Sequence, residues 1–251
     1  MLRRRPALAK TVGSRDCAQM ATCECSNDLR ALARVPRARI LRNPSVVSAW
    51  LSATSPEVRF AAAERLTDIG VWPVPAALEA LQRERNQTVR LQLIEAAARA
   101  SDRNTRRCLW KAAASARGDL ERAVAADALS VQAVRGDVRR LRRLERLETR
   151  QRVRVSLAFA RYCAGDRSAL TVLTDGLRSR SYVVRCAVAS MLSDVSTGEH
   201  GSAVRRALEE QLGRERTIAA KSAIEKAIVS LDARARSKPA RRRSVVSLAD
   251  A

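Results

Sequence analysis

Aromatic side chains make up only 3 % of the 251 residues, too few for a β-rich core, where aromatic and β-branched residues fill the pleated faces. The same scarcity argues against a stacking platform for single strands, since Trp50, Trp72 and Trp110 would have to supply most of it. Histidine occurs once, as His200 in a polar stretch, and reads as a surface residue, not a general base. No Gly-rich phosphate cradle with its lysine, no H-E-x-x-H pair and no serine elbow is found. No catalytic residue, cofactor site or metal site is therefore assigned, and the chain is expected not to be an enzyme. No apolar run is long enough to cross a bilayer. Met1-Leu2-Arg3-Arg4-Arg5 looks like a signal n-region, but Lys10, Arg15 and Asp16 break up the apolar segment that such a signal requires next. The expectation is a cytoplasmic protein without membrane insertion.

Lysine is confined to Lys10, Lys111, Lys221, Lys226 and Lys238. Positive charge is thus almost wholly arginine, and 48 basic against 26 acidic residues leave a formal charge of +22. A field of that sign concentrates polyanions, either acidic proteins or nucleic acids. The cysteines are few and unpaired in pattern. Cys17, Cys23 and Cys25 lack the C-x2-C spacing of a zinc site, and Cys108, Cys163 and Cys186 sit in helical contexts that suit small buried thiols.

What the chain does contain is 46 % hydrophobic residues, mainly Ala, Leu and Val, in a recurring phrase. A hydrophobic residue, a basic residue and an Ala-rich helical segment recur around Arg59, Arg90, Arg122, Arg154, Arg185 and Lys221, with an apolar residue expected seven positions later. The intervals are 31, 32, 32, 31 and 36 residues. Leu66, Leu129, Leu192 and Ile228 keep the seventh position apolar and bulky, whereas Ala97 and Arg161 do not. One helix pair per period, stacked on its neighbours, is the expected architecture. Residues 1–43 read as a partly disordered extension or cap, 44–233 as one elongated repeat domain, and 234–251 as a basic disordered tail.

The Pro/Val-Arg phrase, the Ala-rich second helix and the Ile69-Gly70 ending resemble HEAT repeats, particularly the short units of the bilin (PBS) lyase type. The resemblance covers roughly residues 44–231. It implies an all-α fold, a right-handed α-α superhelix of about six helix pairs. It also implies a protein-binding scaffold, while related solenoids bind DNA or take part in base excision or bilin attachment. In such repeats the recurring arginine joins an aspartate near the preceding turn. Here Arg59, Arg90, Arg122, Arg154 and Arg185 match the basic position, yet only Asp119 stands where the aspartate is expected. Either other carboxylates such as Glu57 or Glu64 neutralise this ladder, or several guanidiniums stay available to an acidic ligand.

The segment from Arg135 to Leu147 is denser in charge. Val138, Leu141, Leu144 and Leu147 advance by threes as one apolar face, leaving Arg139, Arg140, Arg142, Arg143 and Arg146 exposed, with Arg150, Arg152 and Arg154 extending the patch. Arg241, Arg242 and Arg243 add charge in the tail, where Ser244 reads as a candidate phosphosite. The leading expectation is a HEAT-like adaptor binding an acidic protein through this surface. The alternatives are a sequence-nonspecific DNA or RNA binder, associated with the nucleoid, and a HEAT-like DNA glycosylase or lyase accessory subunit.

Overall fold

Ser55 and Pro56 open the most plainly marked helix. In the computed structural model, which describes residues 25–73, 75–100, 102–195 and 200–237, Ser55 Oγ accepts the Val58 N–H at 3.4 Å and Pro56 occupies the first turn. There the missing proline N–H costs nothing, because the first amides of a helix have no intrahelical acceptor. The helix ends at Gly70, whose φ of 78° lies in the left-handed region, and the Gly70 and Val71 amides close back on the Leu66 carbonyl.

Among the described residues the chain is helical with no strand. It divides into two compact units, Met1–Lys111 and Ala112–Ala251. The first holds α1 (residues 25–34), α2 (Arg37–Arg42), α3 (Ser48–Leu51), α4 (Pro56–Ile69), α5 (Ala76–Arg83) and α6 (Gln87–Ala96). The division falls inside α7 (Arg103–Ser115). The second holds α8 (Asp119–Val131), α9 (Val138–Leu147), α10 (Gln151–Cys163), α11 (Ala169–Gly176), α12 (Tyr182–Ser193), α13 (Gly201–Arg214) and α14 (Ile218–Ser237). In the first, α4 packs on α6; in the second, α8, α10, α12 and α14 pack in succession, with α9, α11 and α13 against their partners.

Each unit is built from repeated helix pairs whose apolar stripes close on one another. In the second unit Val155, Leu173, Leu177, Val188, Leu192, Leu208, Ile224 and Leu231 form one buried cluster, each side chain contributing about 1.5–3 kcal/mol relative to exposure. Small residues allow the close approach. A Cβ on the buried Gly176 would stand 2.8 Å from Val188 Cγ2 and 3.0 Å from Val155 Cγ1, so α11 meets α10 and α12 closely because this side chain is missing. The tryptophans fill gaps: Trp110 is buried and Trp72 donates its indole N–H to Thr105 Oγ1 at 3.0 Å.

Residues 25–43 form α1 and α2 and bury Leu32 and Ile40, because these two apolar side chains give the segment a face to pack. The last helix continues to Ser237 instead of ending at 233, where Arg234 donates to the Ser193 carbonyl at 2.5 Å and to Asp194 Oδ1 at 2.6 Å. Cys163 is exposed and Cys108 and Cys186 are only partly buried, since each lies at the edge of its helix stripe and not at its centre. Arg241, Arg242, Arg243, Ser244, Cys17 and Cys23 lie outside the described residues.

Candidate interaction surface

The recurring arginines have to be accounted for first, because a paired guanidinium is not available to a ligand. Arg59 reaches forward to Glu84 in two parallel bonds, Nε to Oε2 at 2.7 Å and Nη2 to Oε1 at 3.0 Å, while Nη1 donates to the Ala53 and Thr54 carbonyls, both at 2.8 Å. Arg122 repeats this on Glu148 at 2.8 and 3.2 Å and on the Ala116 carbonyl at 2.9 Å. Arg185 repeats it on Glu215 at 2.6 and 2.7 Å and on the Ser179 carbonyl at 2.7 Å. The planar fork matches the carboxylate, which is why arginine suits the position better than lysine.

Each glutamate also serves its own turn. Glu84 Oε1 accepts the Arg85 and Asn86 amides at 3.0 and 2.8 Å, Glu148 Oε1 those of Thr149 and Arg150 at 2.9 and 2.8 Å, and Glu215 Oε1 those of Arg216 and Thr217 at 3.1 and 2.9 Å. The clamp therefore joins the turn before one second helix to the turn before the next. Arg59 and the turn amides hold the Glu84 carboxyl below its usual range. For Glu148, burial pushes the carboxyl up, but the bonds from Arg122 and the turn amides outweigh it and the net direction is down. Arg185 holds Glu215 down at about 2.

The acceptors are not those suggested by the sequence. Asp119 caps the Leu120 amide at 3.0 Å, Glu57 accepts from Ser55 Oγ at 2.5 Å, and Glu64 is exposed. The remaining ladder arginines are Arg90 and Arg154. Arg90 donates to the Leu81 carbonyl at 2.6 Å. Arg154 is exposed, and at the position that Glu84, Glu148 and Glu215 take in their turns, Ser179 holds the turn by bonding Gln151 Oε1 at 2.6 Å and the Ser181 amide at 3.1 Å.

The helix α9 carries the densest charge. Leu141 is buried and Val138 and Leu144 are half-buried, but Leu147 is 71 % exposed. A step of three residues falls about 60° short of a full turn, so three such steps carry Leu147 to the side of the helix opposite Val138. The core position below Leu141 is filled instead by Glu145, four residues on and 7 % exposed. Glu145 is satisfied by Arg161, itself 6 % exposed. Arg161 also donates Nε and Nη2 to Asp166 Oδ2 at 3.0 and 2.7 Å, and Arg142 Nη2 reaches the same oxygen at 2.8 Å. Burial pushes the Asp166 carboxyl up, while bonds from Ser168, Arg142 and Arg161 bring it well below the usual range. The buried pair of Arg161 and Glu145, joined through Asp166 to the exposed Arg142, thus pins α9 to α10 at the repeat position that had lost its apolar residue.

Of the candidate contact arginines, Arg142 is therefore bound to Asp166, and Arg152 is bound to Asp127 Oδ2 at 2.7 Å and to Ser156. Each lies over a carboxylate of a neighbouring element. Arg140 also has a partner within the protein. Arg139, Arg143, Arg146, Arg150 and Arg154 are exposed, and among the described residues no carboxylate pairs with them. At helical angles Arg139, Arg143 and Arg146 fall within an arc of roughly 60°, with Arg142 on one flank and Leu147 on the other. These four arginines and Leu147 line a shallow open groove of about 430 Å³. Among the described residues there is no group of three or more His, Cys, Asp or Glu placed to hold a metal ion, and no helix is long and apolar enough to cross a membrane.

No family model matches the chain, and no curated protein matches it. Among solved structures it is similar to a designed armadillo repeat protein, YIII(Dq)4CqI, at 14 % identity, covering 74 % of this chain and 98 % of that chain, with a TM-score of 0.34.

Proposed function

We propose that this chain is a non-enzymatic helical-repeat scaffold of the HEAT type that docks an acidic protein partner on α9. The supporting observation is the division of its arginines. Those at Arg59, Arg122 and Arg185 are consumed by glutamate clamps, whereas Arg139, Arg143 and Arg146 share one face with no carboxylate of the described residues against them. The exposed Leu147 beside them favours protein over a phosphate backbone, since an apolar side chain adds contact energy against another side chain and none against phosphate. Cytoplasmic location belongs to this reading.

A sequence-independent nucleic-acid binder is the second reading, favoured by the exposed Arg150 and Arg154 beyond α9. The two separate in one titration of the full chain at about 150 mM salt, near physiological screening, using labelled poly-L-glutamate and mixed-sequence duplex DNA. The adaptor reading expects poly-L-glutamate to bind and the triple variant R139E/R143E/R146E to abolish that binding while the helical circular dichroism is unchanged. DNA binding that persists at this salt and falls in the same variant, with no poly-L-glutamate binding, overturns it in favour of the second reading.

A further inference from the structure

Resting on the adaptor reading, we infer that the arginine face of α9 accepts one acidic amphipathic α-helix of a partner protein, laid along α9, with carboxylates opposite Arg139, Arg143 and Arg146 and an apolar side chain on Leu147. The inference comes from spacing. The three arginines follow one another by four and then three residues, which at the helical rise places their Cα atoms about 6 and about 4.5 Å apart along the axis. A second helix running along α9 repeats that alternation in its own side chains and meets each guanidinium in turn. An extended chain presents same-face side chains every ~6.8 Å and falls out of step at the second interval.

The width of the face agrees with a single helix. Arg142 bounds it on one flank, its guanidinium fixed to Asp166 at 2.8 Å. Leu147, 71 % exposed, bounds it on the other and supplies an apolar contact beside the charges, the arrangement in which a helix presents an acidic face and a neighbouring leucine or isoleucine. The face is also held from below. Glu145 and Arg161, buried side by side, and Asp166 tie α9 to α10, so the three arginines are presented on a fixed surface and less ordering remains to be done on binding. Charge complementarity names the partner's sign, and the alternation of four and three names its conformation.

Two synthetic peptides of identical composition test this against the full chain. One carries Glu at i, i+4 and i+7 with Leu at i+8 in an Ala-rich helical background. The other carries the same residues reordered so that no three Glu share a face. The inference expects at least a tenfold tighter Kd for the first peptide at about 150 mM salt, a gain in its helical circular dichroism on binding, and a several-fold loss with Leu147→Ala. Leu147 is a surface residue whose truncation leaves the buried network untouched. Equal binding of the two peptides, both lost in R139E/R143E/R146E, overturns the helical partner and leaves the acidic-protein reading standing. No binding of either peptide and none of poly-L-glutamate overturns both.

Discussion

Arg185 and Glu215 face each other through two parallel bonds of 2.6 and 2.7 Å, although thirty residues separate them in the chain. The glutamate side chain is 1 % exposed and the arginine 12 %, so removal of one partner strands the other where water cannot replace it. Glu215→Gln is expected to lower unfolding stability by about 2–4 kcal/mol. Arg154→Ala, at the equivalent repeat position but exposed and without a clamp, is expected to stay within about 0.5 kcal/mol of the parent. Urea denaturation of the two variants checks the contrast.

Acid should act on the same clamps. Glu84, Glu148 and Glu215 are all held below their usual range of 4.5, Glu215 at about 2, while the arginines stay charged throughout. As pH falls below about 4.5 the unfolded chain takes up these protons before the folded chain does. The clamp contribution is therefore complete above that pH and is lost progressively towards about pH 2. Urea midpoints at pH 6, 4 and 3 should decline, and decline less steeply in Glu215→Gln. Parallel curves would show that other groups dominate the acid limb.

Gly176→Ala and Gly213→Ala should move stability in opposite directions. At Gly176 the new methyl meets Val188 and Val155 at 2.8 and 3.0 Å, whereas at Gly213, inside α13, nothing lies within 4 Å. Overpacking is expected to cost about 1–3 kcal/mol at the first site, and the helix should gain about 0.5–1 kcal/mol at the second. Thermal melts of the two single variants decide it.

The buried pair of Arg161 and Glu145 makes a non-additive prediction. Arg161→Leu restores the residue type seen at Leu66, Leu129 and Leu192 but leaves Glu145 uncompensated, and should cost about 3–5 kcal/mol. Adding Glu145→Leu should recover most of that loss, because two apolar side chains then replace the two charges while Asp166 keeps Arg142. A double-mutant cycle by urea unfolding measures the coupling.

The helix-pair period was legible because one marker, the basic residue at the head of each second helix from Arg59 to Lys221, recurs at a near-constant interval, and Ser55-Pro56 and Gly70 mark the bounds of the first of these helices. The acceptors were not, because Glu84, Glu148 and Glu215 stand 25, 26 and 30 residues after their arginines, a variable offset set by first-helix length. Their signal is local: each stands three residues before its following helix, where a carboxylate can take two turn amides at once. Leu147 misled for a different reason, since steps of three drift around a helix. Arg161 announced a lost apolar position without naming Glu145 and Asp166, which only the packing of α9 on α10 brings to it.

The clamp fixes where these repeats may be cut. Because Arg59, Arg122 and Arg185 each find their carboxylate in the turn that opens the following second helix, a repeat excised at the end of its own second helix leaves behind the group that closes it. A segment ending at Arg214 would carry an unanswered Arg185, while one extended through Thr217 would keep the fork and both turn amides together. The natural module is therefore offset from the helix pair by a first helix and a turn. Grafts, truncations and limited-proteolysis fragments should be stable or frayed according to which side of Glu84, Glu148 or Glu215 the chain is divided.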